Sequence, residues 1–216
     1  MVAALSSFAR LGLAGLFFGM ATQHDLGVAE NEGFLEGKLL IALPGMPDDR
    51  FQQTVIYMCA HSASGAMGIV INKPMPGLSF ADLMDQLEIA TKSRRGDFPI
   101  LFGGPVEKRR GFVLHSNDYE STDATLSVSD QISLTATVDI LRALAEGRGP
   151  KQVILALGYA GWGPGQIETE LQDNGWLHCD ASPSLIFDAK PETKWRAALQ
   201  CLGIDSTGLS ANTGRA

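Results

Sequence analysis

The sequence predicts a mixed α/β domain of the α+β type, because short β-branched apolar runs are interleaved with apolar stripes at helical spacing. Lys38 to Leu43, Thr54 to Ala60, Ala66 to Ile71 and Gln152 to Leu157 have the length and composition of strands, whereas Phe80, Leu83, Met84 and Leu87 recur as one helix face does. With 216 residues, 45% of them apolar and 19% charged, the chain suffices for one globular domain, or for two small lobes sharing a core.

Residues 1–33 stand apart from this pattern. Leu11 to Met20 is an apolar run behind Arg10, resembling the apolar centre of a signal peptide, but no clean small-residue cleavage site follows it. A membrane-spanning helix needs about 20 apolar residues, so this run is too short to span. Residues 1–33 are therefore expected to be an extension, disordered or upstream of the true start, with Met20 one plausible start. Residues 34–204 form the expected single domain and residues 205–216, small and polar, a flexible tail.

Within that domain, Pro44 to Asp49 separates the first two strands, and Ser62 to Gly65 supplies the turn of a hairpin. Asn72 to Gly77 is expected to leave the sheet, because Pro74 and Pro76 cannot donate to a ladder. Ser79 followed by Asp82 predicts a capping box opening a helix. Ile100 to Phe102, Gly111 to His115 and Thr125 to Val128 read as further strands, with Gly103 to Val106 a sharp turn. Ser133 is expected to cap a helix carrying Leu134, Val138, Leu141 and Ala145, ended by Gly147 and Gly149. The last helix starts near Pro191, faces the core with Trp195, Ala198, Leu199 and Leu202, and stops at Gly203.

Gly158-Tyr-Ala-Gly-Trp-Gly-Pro-Gly-Gln166 is the most specialised segment. It is expected to be a loop between a buried strand and a helix over 166–174, stopped at Gly175, with Pro164 at the first helical position. Such a loop presents backbone N–H groups that suit an anion. It lacks the Gly-Lys-Ser/Thr ending of a Walker loop and the glycine spacing of a dinucleotide fold. The competing reading is a purely structural turn in which Trp162 covers a neighbour.

A formal charge of −7 and a pI near 5.0 argue against a nucleic-acid-binding surface, since such binding depends on Lys and Arg neutralising phosphates. Cys59, Cys179 and Cys201 are odd in number and irregularly spaced, so a disulfide framework is not expected and a reducing, cytoplasmic compartment fits. No structural-zinc spacing occurs, and no metal or cofactor is expected. Cys59 and His61, two apart on a strand, should share a face, which with His115 gives the ingredients of a thiol-dependent or hydrolytic site. A buried strand cysteine is more often a small core residue. Glu168 and Glu170 should point apart on their helix and make no carboxylate pair.

Five ordered blocks carry a resemblance: Gly37 to Met46, Gly65 to Pro74, Gly103 to Val106, Arg110 to His115 and Gly158 to Gln166. Together they resemble the bacterial YqgE/AlgH family, over residues 34–204. Asp48-Asp-Arg-Phe51 stands where that family commonly has Asp-Pro-Arg-Phe. The resemblance implies a bifurcated, barrel-like mixed β-sheet flanked by helices, and a link to transcriptional regulation without a demonstrated DNA-binding mechanism. Fold does not fix function.

The leading expectation is a regulatory or binding protein with a glycine-lined pocket for a small anionic ligand or a protein partner. Its candidate residues are Asn72 and Lys73 at a strand end, Gly103 and Gly104 in the second glycine turn, and Gly161, Trp162, Gly163, Gly165 and Gln166 in the main loop. The alternatives are an enzyme centred on Cys59, His61 and His115, and direct DNA binding, which lacks a basic recognition helix.

Overall fold

The computed structural model describes residues 33–91, 98–120 and 124–205. The expected extension at 1–33, apart from Gly33, and the tail beyond Asp205 lie outside the described residues.

Among the described residues there are ten strands: β1 (Lys38–Ala42), β2 (Val55–Ser62), β3 (Gly65–Val70), β4 (Pro74–Ser79), β5 (Pro99–Phe102), β6 (Val106–Ser116), β7 (Thr125–Ser127), β8 (Ile132–Thr135), β9 (Val153–Trp162) and β10 (Trp176–Asp180). Four α-helices accompany them, α1 (Phe80–Gln86), α2 (Val138–Ala145), α3 (Gln166–Gln172) and α4 (Pro191–Cys201), with a 3-10 turn at Asp49–Phe51 and a π-helical turn at Ser184–Asp188. The strands run β10-β1-β2-β3-β9-β6-β8-β7, with β4 and β5 branching off. All pairings are antiparallel except β5 with β9.

Strand β9 is where the sheet divides. Its last residues, Ala160 to Trp162, pair with β3, while Ala156 and Leu157 pair on that side with β5; β6 takes the other edge. Alternation along the strands then sorts the core into an interior and two outer layers. Leu39, Ile41, Val55, Tyr57, Ile69, Phe112, Leu114 and Ala156 point into one shared interior, closed by Trp195, Ala198 and Leu199 of α4. Leu40, Ile56, Met58, Ala160 and Trp162 face outward beneath Ile167 of α3. Val113 and Leu155 face outward beneath α1 and α2. This is the α/β architecture with a bifurcated, barrel-like mixed sheet flanked by helices.

The capping box is present: the Ser79 hydroxyl accepts from the Asp82 N–H, and Asp82 accepts from the Ser79 N–H. Four local expectations need correction. Ile132–Thr135 is a strand, because all its side chains are buried and it pairs with both β6 and β7. The following helix instead begins at Val138 and buries Ile140, Leu141, Ala143, Leu144 and Ala145. The prolines of Pro74–Ser79 do leave the main ladder, yet they form an exposed strand touching β5 only at Pro74 and Ser79, where missing donors cost little. Helix α3 ends at Gln172 rather than Asn174, with Asn174 taking the left-handed turn at φ 56. Leu202, placed by its spacing on the core face of α4, is 36% exposed just beyond the helix end.

The largest correction concerns the glycine segment. Gly158 to Trp162 is not loop but the second half of β9, since β3 and β6 both offer ladder partners that extend it. The connection to α3 shrinks to Gly163, Pro164 and Gly165, and Gly165 is the N-cap, so Pro164 precedes the helix instead of opening it.

Candidate functional site

The two glycine turns do meet, by backbone contact. A Cβ on Gly103 would lie 2.2 Å from the Gly158 carbonyl oxygen, and one on Gly104, at φ +152, would lie 2.1 Å from the Tyr159 carbonyl carbon. Gly158, at φ +76, faces the Gly104 carbonyl in return. The Val70 N–H donates to Gly103 O (2.9 Å) and the Gly103 N–H to Leu157 O (2.8 Å). These glycines let two chains cross where the sheet divides, and the contact leaves no space for a ligand between them.

Open space begins further along the same strand. A cavity of about 350 Å³ lies between the end of β9, α3 and the 46–51 turn. Its walls include Met46, Pro47, Phe51, Pro105, Gly161, Trp162 and Trp176, with Asp48, Arg50, Gln166, Glu170 and Asp173 as its polar groups. That size and mixture are ordinary for a binding pocket. The wall is tied together by one carboxylate: Glu170 Oε2 accepts from the indole N–H of Trp162 (3.0 Å) and of Trp176 (2.8 Å). Glu170 Oε1 accepts from the Gln166 amide (2.9 Å), whose Oε1 accepts from the Gly163 N–H (3.0 Å). The two indoles meet edge to face at 6.1 Å, and Phe51 meets Trp176 likewise at 5.6 Å. Trp162 is only 7% exposed, so it is a wall of the pocket and a core residue rather than a movable lid.

At the rim, Asp48 caps a short 3-10 turn by accepting from the Arg50 N–H (3.0 Å) and from Arg50 Nε (2.9 Å). That guanidinium holds the Asp48 carboxyl below the usual range and lies 5.8 Å from the Phe51 ring centre. Of Gly161 at the end of β9 and Gly163 and Gly165 in the connection, only Gly165 has a positive φ (+70); Gly161 would bring a Cβ to 3.2 Å from the Tyr159 ring, and Gly163 has room for one.

Of the other sequence candidates, Asn72 is 7% exposed and staples the β2 start: its Oδ1 accepts from the Val55 N–H (2.8 Å) and its Nδ2 donates to Gln53 O (2.8 Å). Lys73 is half-buried, which lowers the pKa of its ammonium, and its carbonyl accepts from the Phe102 N–H (2.8 Å). Neither residue lines the tryptophan cavity.

Cys59 and His61 do not share a face, because the β2–β3 register shifts between Met58 and Ala60 and the alternation slips by one. Cys59 is fully buried in the sheet interior, where burial pushes its thiol pKa far up and Sγ contacts Tyr57 O at 3.5 Å. His61 points to the opposite side. Its Nδ1 accepts from the Leu35 N–H (2.9 Å), so Nε2 carries the proton and donates to Glu168 Oε1 (2.9 Å). His115, also buried, donates from Nδ1 to Ser116 O (2.8 Å) and accepts at Nε2 from the Thr135 hydroxyl (2.9 Å); burial lowers its pKa. The three groups are committed to separate structural bonds.

Sequence reasoning missed Glu170, Trp176, Asp173, Phe51 and Arg50 as members of one site. Nothing local joins them, since the site needs β10, a strand the sequence reading did not place. No regular spacing joins Trp162, Glu170 and Trp176 in the sequence, so their meeting carried no local signal.

Among the described residues, no group of His, Cys, Asp and Glu is arranged to hold a metal, and no helix is long and apolar enough to cross a membrane. The family model described as DUF179, AlgH-like, matches residues 39–207. A UPF0301 protein of Methylobacterium sp. strain 4-46 is 53% identical, covering 88% of this chain and 94% of its own. One from Rhodopseudomonas palustris strain HaA2 is 55% identical, covering 89% and 91%. The solution structure of the AlgH protein from Pseudomonas aeruginosa superposes with a TM-score of 0.70 at 41% identity, over 87% of this chain and 99% of that one. Protein DIP2367 from Corynebacterium diphtheriae, at 17% identity and a TM-score of 0.61, shares the fold. With its five motif blocks, its divided sheet and these relatives, the chain belongs to the AlgH-like (UPF0301) family.

Proposed function

We propose that this is a cytoplasmic binding protein that acts by docking a partner protein, with the cavity beside Trp162 and Trp176 as the docking site. The observation that carries the reading is that cavity: about 350 Å³, aromatic-walled, with its wall fixed by Glu170 before any partner arrives. Gly161, Trp162 and Gln166 frame it, so the main glycine segment contributes to the site while the Gly103 and Gly104 crossing supports the sheet. Of the two occupants left open by the sequence, a small anion is disfavoured by the carboxylates of Asp48, Glu170 and Asp173, against which the lining sets, among the described residues, the one guanidinium of Arg50. Any role in regulation then runs through the partner rather than through DNA, in keeping with the formal charge of −7.

Native mass spectrometry of the full chain purified from its own cells tests this, with Pro47→Trp as the comparison because Pro47 is exposed at the cavity mouth. A retained protein partner is expected on the unmodified chain and its loss on Pro47→Trp at unchanged thermal midpoint. Equal retention by both, or no retained partner on either, contradicts the reading.

A further inference from the structure

We infer that the group the partner inserts into this pocket is an arginine side chain; the inference rests on the docking reading above and adds the chemistry of the anchor. Among the described residues four charged side chains line the cavity, and Arg50 is already held by Asp48 through Nε to Oδ1 at 2.9 Å. Glu170, whose hydrogen-bond donors are all neutral, and Asp173 add two carboxylates to the same lining, neither in an ion pair among the described residues. Glu170 is not free to turn away, because three donors fix both of its oxygens. An anion entering there meets like charge, whereas a cation meets two carboxylates and aromatic rings.

The aromatic walls select among cations. A guanidinium is planar, weakly hydrated and able to stack on Trp or Phe while hydrogen-bonding a carboxylate at its edge, which a compact ammonium does less well. The molecule already makes this arrangement once at the rim, where Arg50 lies over Phe51 and bonds Asp48. Beside it, Trp162 and Trp176 with Glu170 repeat the components, without a guanidinium bonded to that carboxylate among the described residues. The mouth is bounded by the exposed residues Pro47, Gln166 and Asp173, so an occupant's remainder faces solvent, as the main chain of a larger partner would.

The test is a titration of the isotope-labelled full chain, at low salt and into the millimolar range, with acetylated Gly-Gly-Arg-Gly-Gly amide. The same peptide with citrulline, the uncharged analogue, and with glutamate serve as comparisons. The three indole N–H resonances give a built-in control, because the Trp195 indole is bonded to the Ala42 carbonyl, packs in the sheet interior and is not part of the cavity lining. The arginine peptide is expected to shift Trp162 and Trp176 but not Trp195, with citrulline and glutamate inert. Asp173→Asn, at an exposed position beyond α3, should weaken that binding about three- to five-fold. Shifts of the same two indoles by the glutamate peptide alone would overturn the arginine anchor while leaving a working pocket. Silence of all three probes also overturns the anchor, and the docking reading is then judged by partner retention on the unmodified chain against Pro47→Trp.

Discussion

The two glycine-rich segments of this molecule use the same residue for opposite ends. At Gly103, Gly104 and Gly158 glycine is required because backbone touches backbone, and the result is a sealed crossing at the division of the sheet. At Gly163 and Gly165 the neighbouring space is open, and Gly161 just before them lies in the wall of a cavity. Glycine therefore marks close approach in one place and a reversing chain beside a pocket in the other. Only the neighbours distinguish them.

Substitutions can break or sharpen that contrast. Gly104→Ala should be the most damaging, on the order of 5 kcal/mol, because the new Cβ meets immovable main chain in a left-handed backbone; urea unfolding, or failure to obtain soluble protein, reads it. Trp162→Ala should follow at about 3–5 kcal/mol, as for other buried aromatics. Trp162→Phe keeps a ring in the wall and removes one donor to Glu170, so it should cost only about 1–2 kcal/mol and retain the partner. Loss of the partner in Trp162→Phe would mean that the indole itself is contacted. Gly165→Ala should cost about 1 kcal/mol, from its positive φ alone. Gly163→Ala should stay within about 0.5 kcal/mol, since its backbone is unstrained and its Cβ has room. A large effect of Gly163→Ala in thermal unfolding would show that the open segment is as tightly constrained as the crossing.

Much of the fold was legible because alternation and capping are local. The runs at 38–43, 54–60 and 66–71 became β1, β2 and β3, and Ser79 with Asp82 formed its capping box. The errors came where a distant partner decided the outcome. Ser133 has the look of a helix cap, but pairing with β6 and β7 draws Ile132–Thr135 into the sheet. Gly158 to Trp162 has the composition of a loop, yet β3 and β6 extend it as strand. A single bulge after Met58 separates Cys59 from His61, and no periodicity reveals it. In the site, Trp162, Gly161 and Gln166 could be named from the sequence, whereas Glu170, Trp176 and the 46–51 turn could not, because their meeting depends on β10 lying against β1.

Amide hydrogen exchange of the full chain, alone and with the partner recovered from its own cells, tests the central contrast most directly. The Gly103 amide, bonded to the Leu157 carbonyl at the crossing, is the reporter for the sealed segment. The account predicts slow exchange there that the partner leaves unchanged, with added protection confined to residues 46–51 and 161–176. Protection gained at 103–104 and 156–159 instead, or no added protection around the tryptophan cavity, would contradict it.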